Sequence, residues 1–162
     1  MNTRVISPLL SLAAILLVAG GCAGVEKRTY NVAVKNDSRV PVTVWLTKDG
    51  PLYEDKWKSP EDLAIETRRA GEMIPGVVVQ PGQTVSTGKV EGKFAPHSNA
   101  ILRVYVGQHN FSDLLAMSKG APDRRDLELR QGDNEFQIVD RNGKMLVERT
   151  NLPGSTSADA PK

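Results

Sequence analysis

Short segments with an apolar residue at every second position recur along this chain, and that spacing restricts the fold more than any other feature. Side chains of an extended strand point alternately to two faces, so a period of two marks a strand with one face buried. Residues 30–36 set Tyr30, Val32 and Val34 on one side and Asn31 and Lys35 on the other. Residues 40–48 set Val42, Val44 and Leu46 against Thr43, Trp45 and Thr47. Between them NDSRVP reads as a turn, since Asn36 and Asp37 tolerate left-handed backbone and Ser38 bonds its own main chain. These two strands are expected to pair as a hairpin. Further strands are expected over residues 76–80, 84–94 and 101–106, and in DLELR, NEFQIVD and KMLVER. Pro81 and Gly82 fit the centre of a type II turn, and Asn142 with Gly143 is a strong hairpin signal.

Residues 49–75 break the pattern. A helix is expected over residues 59–70, with Ser59 as N-cap, Pro60 in the first turn, Glu61 and Asp62 at the positive end of the dipole, and Gly71 as the stop. Its apolar side is thin: Leu63, Thr67 and Ala70 share one stripe, while Ile65 lies around the cylinder near Arg68 and Arg69. HNFSDLLAMSKGAPDRR reads either as a short helix near residues 112–118 or as a loop that tucks Leu114, Leu115 and Met117 under the sheet, and the helix is the expectation. About eight strands without regular strand-helix alternation point to a mainly β fold, a two-sheet antiparallel sandwich of immunoglobulin-like architecture over residues 29–150. The cysteine pair and packed tryptophan of true immunoglobulin domains are missing. Residues 151–162, rich in Pro, Gly and Ser, are expected to be a disordered tail.

The first residues obey a different rule. Arg4 gives a basic start, residues 5–19 are apolar apart from Ser7, Pro8 and Ser11, and AGGC closes the run on Cys22, the one cysteine of the 162 residues. Fifteen positions are too few to span a bilayer, which takes about 20. The segment resembles the bacterial lipoprotein signal, whose lipobox sets small residues before an obligatory cysteine. Here Ala19, Gly20, Gly21 and Cys22 fill it, with Ala19 where the family prefers leucine. The resemblance implies that residues 1–21 are a signal peptide and that Cys22 becomes the first mature residue, lipidated on sulfur and usually acylated on its amine. Residues 22–28 would then be a short tether to the membrane. A plain secretory signal that leaves a free thiol is the alternative. Ala23 in place of aspartate implies, by the rule of enteric bacteria, an outer membrane location facing the periplasm.

Nothing in the remaining sequence marks a reaction. The net charge is +2, and the basic residues are scattered among acids such as Glu54, Asp55, Glu61 and Asp62, so no nucleic-acid footprint forms. His97 and His109 lie at the two ends of one strand with no metal-ligand spacing, so no metal is expected. His109, Ser112 and Asp113 are too close in sequence for a triad, and no GxSxG elbow accompanies them. The pairs Glu54 with Asp55 and Glu61 with Asp62 are poorly placed to straddle a bond, and GEMIPG and GKVEGK lack the Lys-Ser/Thr end of a phosphate loop. No catalytic residue and no cofactor is assigned.

Aromatic residues remain. Trp45, Trp57 and Tyr53 surround the insertion, either as contacts for a partner or with Trp45 capping the core and Trp57 packing the helix on. The candidate binding residues are Ile65, Arg68, Arg69, Trp57 and Tyr53. The expected function is that of a lipid-anchored, non-catalytic envelope module that binds a protein partner or an envelope polymer. An assembly or scaffolding lipoprotein of cell-wall or secretion machinery is its neighbour, and a hydrolase with an unrecognised site is the third alternative.

Overall fold

In a computed structural model, which describes residues 24–50, 54–65 and 76–151, the alternating segments become eight strands in two four-stranded sheets. The first sheet runs in the order β4 (Thr84–Phe94), β1 (Glu26–Asn36), β7 (Gly132–Arg141), β8 (Lys144–Arg149). The second runs β3 (Val77–Val79), β2 (Val42–Lys48), β5 (Ala100–Val106), β6 (Arg124–Glu128). Two short helices, α1 (Pro60–Ile65) and α2 (Phe111–Ala116), complete the described chain with a single 3-10 turn (Asp55–Trp57). The protein is a mainly β sandwich, as the periodicity predicts. Helix α2 takes the place expected near residues 112–118, and α1 occupies the first half of the expected 59–70 helix, the rest of which lies outside the described residues.

The inner faces are the ones the alternation marks. Tyr30, Val32, Val34, Phe136 and Ile138 from the first sheet meet Val42, Val44, Val79, Leu102 and Val104 from the second. Full burial of such a side chain contributes about 1.5–3 kcal/mol, and this layer is what holds the two sheets together. The turns obey their residue chemistry. Gly82 has φ +77 and Gln83 N donates to Gln80 O at 3.0 Å, while Asn142 and Gly143 both have positive φ, as a type I′ hairpin requires.

Three expectations are corrected. The strands β1 and β2 do not form a hairpin; they lie in different sheets. The cause is Asn36, fully buried at the corner, whose amide donates to the carbonyls of Val40 and Val79 at 2.9 Å and whose Oδ1 accepts from Ser38 N and Oγ. NDSRVP does turn the chain, but that side-chain bonding to the second sheet turns it across the sandwich. The sandwich is also not wholly antiparallel, because β1 and β7 pair in parallel from Tyr30↔Gly132 to Asn36↔Ile138. No tight turn joins two strands so distant in sequence, so none imposes the antiparallel direction. Finally, β1 begins at Glu26, inside the stretch expected to be tether, because Glu26 to Thr29 pair with Phe94 to Glu91 of β4. Glu26 and Lys27 are exposed and Arg28 and Thr29 half-buried, so this pairing leaves no alternation to read.

Candidate functional site

Two large aromatic side chains of the second sheet point away from the sandwich core. Trp45 on β2 and Tyr105 on β5 belong to the face that would ordinarily meet water, yet they are 1% and 0% exposed. Leu114 of α2 is buried against them, and Leu63 of α1 and Met117 pack at the rim. The insertion and the β5–β6 connection therefore form a helical cover over one outer face. Trp45 Nε1 donates to Lys58 O at 2.9 Å, which satisfies the buried indole and ties the chain just before α1 to the sheet.

Both helices are written by their caps. Ser59 Oγ accepts from Asp62 N at 3.1 Å while Asp62 Oδ2 accepts from Ser59 N at 2.8 Å, a reciprocal box on the N-cap read from sequence. In α2 the cap is Asn110: its Oδ1 accepts from Asp113 N at 3.0 Å and Asp113 returns the bond to Asn110 N at 3.1 Å. The neighbouring His109 turns a ring nitrogen to the Val106 carbonyl, and its backbone N–H donates to Thr43 Oγ1 at 3.2 Å. His109 and Asp113 thus both serve the local backbone.

A charged network lies under the same cover. Glu61 of α1 accepts from Arg103 Nη1 at 2.6 Å and from Arg124 Nη1 at 3.3 Å. Arg124, whose side chain is 3% exposed, grips Asp126 with two bonds of 2.8 Å and donates to Met117 O at 2.9 Å. Burial is the largest single influence on the Glu61 carboxyl and raises its pKa, but hydrogen bonds from Arg103, from its own backbone N–H and from Ser59, together with the Arg103 charge, outweigh it and the net shift is downward. Burial is the largest influence on Arg124 and lowers its value, and the hydrogen bonds and charge of Asp126, with the charges of Tyr105 and Glu61, together more than restore it. Both groups are therefore held in their charged forms. The position of Glu61 in the first turn predicts only a dipole role, because β5 and β6 bring its arginines from 42 and 63 residues away.

The expected contacts divide. Trp57 is 1% exposed and sits in the core between the sheets, edge-on to Tyr30 and Phe94 at ring-centroid distances of 5.5 and 5.2 Å, with Nε1 donating to Glu91 O at 3.1 Å. It is a core residue and not a partner contact. The two tryptophans have exchanged their expected places: Trp57 fills the core and Trp45 carries the helices. Ile65 closes α1, while Tyr53, Arg68, Arg69 and Cys22 lie outside the described residues. Leu63 does pack the helix as expected, against the cluster of Trp45, Tyr105 and Leu114. The start of the insertion is pinned as well. Lys48 Nζ donates to Glu54 at 3.1 Å and to Lys93 O at 2.7 Å, and Thr47 Oγ1 donates to Trp57 O at 2.8 Å.

Concave surfaces lie among the described residues. A slot of about 370 Å³ opens between the β3 and β4 edges, lined by core residues such as Val34, Val44 and Leu102 with Val77 and Val85 at its mouth, and no ionisable side chain faces it. A cleft of about 340 Å³ near the start of β1 holds Lys27, Glu54, Lys56, Glu91 and Lys93, in which Lys27 and Glu91 pair at 2.6 Å. Among the described residues no three His, Cys, Asp or Glu side chains converge as metal ligands would.

The fold is that of a two-sheet β-sandwich with a helical cover clamped to one outer face. No family model and no curated protein matches the chain. Among solved structures it is similar to Serratia marcescens Lip, described as a membrane bound component of the Type VI Secretion System, with 13% identity and a TM-score of 0.34 over 75% of this chain and 97% of that one. A likeness of that size transfers neither activity nor partner.

Proposed function

We propose that the protein is a lipid-anchored, non-catalytic module of the bacterial envelope, held to its membrane through Cys22. The observation that supports this reading most is the spacing of AGGC and the first strand. Cys22 stands four positions before Glu26, where β1 begins, so an anchored domain rides within about 14 Å of chain from the lipid. Several acyl chains, each contributing about 0.8 kcal/mol per buried methylene, make a lasting anchor where one alone would not. The outer membrane, on its periplasmic side, is the destination implied by Ala23. Cys22→Ala should abolish metabolic labelling with palmitate and leave the signal uncut. Labelling that survives the substitution removes Cys22 as the lipid site.

The module binds an envelope protein or polymer through the inserted segment, with Ile65, Arg68 and Arg69 as the contacts. The cover's construction supports this: Glu61, Leu63 and the Ser59 box fix the start of the helix on the sheet, so the inserted segment is anchored to a rigid frame. An acidic or amphipathic partner suits the arginine pair. Changing Ile65→Ser, Arg68→Glu and Arg69→Glu together in the lipidated protein should leave circular dichroism and the thermal melt unchanged and remove the partner from a pull-down. An unchanged partner set with unchanged folding moves the contact elsewhere.

A further inference from the structure

The first sheet ends on a strand that is open and regular. Among the described residues nothing pairs with the outer side of β8, and its six pairs with β7, from Arg141↔Lys144 to Phe136↔Arg149, run without a bulge. The opposite edge of the same sheet is handled differently. There β4 is interrupted by a register shift against Asn31 and Ala33 and by Gly88 at φ +63, which twist an edge away from further pairing. Strand β8 has no proline or glycine, and it carries Leu146 at 40% exposure, one of the few large apolar side chains the described surface leaves to water.

The direction of its backbone groups is set by the hairpin. Thr150 N donates to Glu135 O at 2.9 Å and the Asn142–Gly143 turn closes on Arg141 and Lys144, so the even-numbered residues of β8 aim their backbone at β7. Met145, Val147 and Arg149 therefore aim their N–H and C=O groups outward. Side-chain faces are equally fixed: Met145 and Val147 pack on the core, whereas Lys144, Leu146 and Glu148 lie on the outer face.

We propose that β8 is a pairing edge for a second copy of this chain, joined antiparallel about a two-fold axis through Leu146. In that register Leu146 meets Leu146, Lys144 meets Glu148 of the second copy and Glu148 meets its Lys144, while Met145 lies opposite Val147 on the core side. The outward backbone groups of Met145 and Val147 face their counterparts as a hydrogen-bonded pair, and the two Leu146 residues form the closer, non-hydrogen-bonded pair between them. A shift of the axis by one residue either way sets Leu146 against a charge: against Glu148 when Val147 is central, against Lys144 when Met145 is central. Only the register on Leu146 matches apolar with apolar and acid with base on both faces. Lys144 gains most from it, since its neighbour across the hairpin is Arg141, whose own acid is Glu148 at 3.0 Å.

The product is one continuous eight-stranded sheet. With the axis normal to the sheet, the two Glu26 ends point in opposite directions, roughly 70 Å apart at about 3.3 Å per residue. Both copies then show the same face to a surface below them. The pairing stands independently of the lipid on Cys22.

The test uses the full chain in membranes or detergent micelles. Leu146→Cys should form a disulfide-linked dimer on mild oxidation, well above wild type and above Val139→Cys, which lies on the outer face of β7 one strand in from the edge. Lys144→Glu and Glu148→Lys should each weaken self-association about tenfold or more by setting like charges opposite each other, and an equimolar mixture of the two should restore it, because every opposed pair in the mixed dimer is again acid with base. Circular dichroism and thermal melts confirm that each variant is folded. Crosslinking at Leu146→Cys no greater than at Val139→Cys, or self-association unchanged by either charge reversal, overturns the proposal.

Discussion

The inside of the sandwich and the cover on its second sheet each bury a tryptophan and a tyrosine, and they are held by different forces. Trp57 packs edge-on against Tyr30 and Phe94, which are tilted against each other, at centroid distances of 5.2–5.5 Å within a continuous apolar layer supplied by both sheets. Among the described residues Trp45 and Tyr105 have Leu114, Leu63 and Met117 for apolar company, and the cover closes through Glu61, Arg124, Asp126 and two capping boxes. Apolar burial is indifferent to protonation and tolerant of direction; charge pairs and caps are neither. The core should therefore dominate stability, while the cover should be the part that acid or a single polar substitution loosens.

Removing a core aromatic tests the first half. Trp57→Ala should cost about 3–5 kcal/mol in a urea melt, because it empties a large packed site. A loss below about 1 kcal/mol would mean that the ring triad is peripheral to the core. Cutting the cover's network comes next. Arg124→Ala strips Asp126 of both its bonds and Glu61 of one, and should cost about 2–3 kcal/mol, below the usual figure for a buried pair because Glu61 is 43% exposed. The same substitution should increase protease sensitivity around α1.

Smaller effects sharpen the contrast. Gly92→Ala on β4 would place a methyl group 2.7 Å from Trp57 Cε2 and 2.9 Å from Phe94 Cε2, and overpacking of this kind costs about 1–3 kcal/mol. Ser59→Ala should cost about 1 kcal/mol through loss of the α1 cap, visible as faster amide exchange in the helix with the strands unaffected. Glu61→Gln should give the smallest and most telling change. The folded carboxyl lies below its ordinary value of 4.5, so its contribution is fully present above that pH and disappears as the pH falls through the lower folded value. The stability gap between wild type and Glu61→Gln should therefore close on acidification. The gap for Trp57→Ala should not. Parallel pH profiles for the two variants would remove the distinction between the regions.

Period-two spacing, turn chemistry and capping residues are local properties, and the features that depended on them were legible. The faces of β1, the type I′ turn at Asn142–Gly143 and the Ser59 cap are all set by neighbours within a few residues. Arg124 shows the limit from the other side: DLELR marked β6 two residues late, because a buried arginine gives no apolar signal until its acids are in place. The inserted segment was legible as a helix start but not as a clamped one.

A β-sandwich with one helical insertion follows from local signals, since alternating burial and turn residues leave few other ways to cover so many half-apolar strands. Which strands pair, which tryptophan enters the core and which charges meet are settled by long-range packing. Asn36 sends the chain across the sandwich by bonding Val79, β1 lies beside β7 from a hundred residues away, and Glu61 finds Arg103 and Arg124 only once two sheets are assembled. Each is a contact between residues distant in sequence, and no local preference encodes a partner that folding alone brings near.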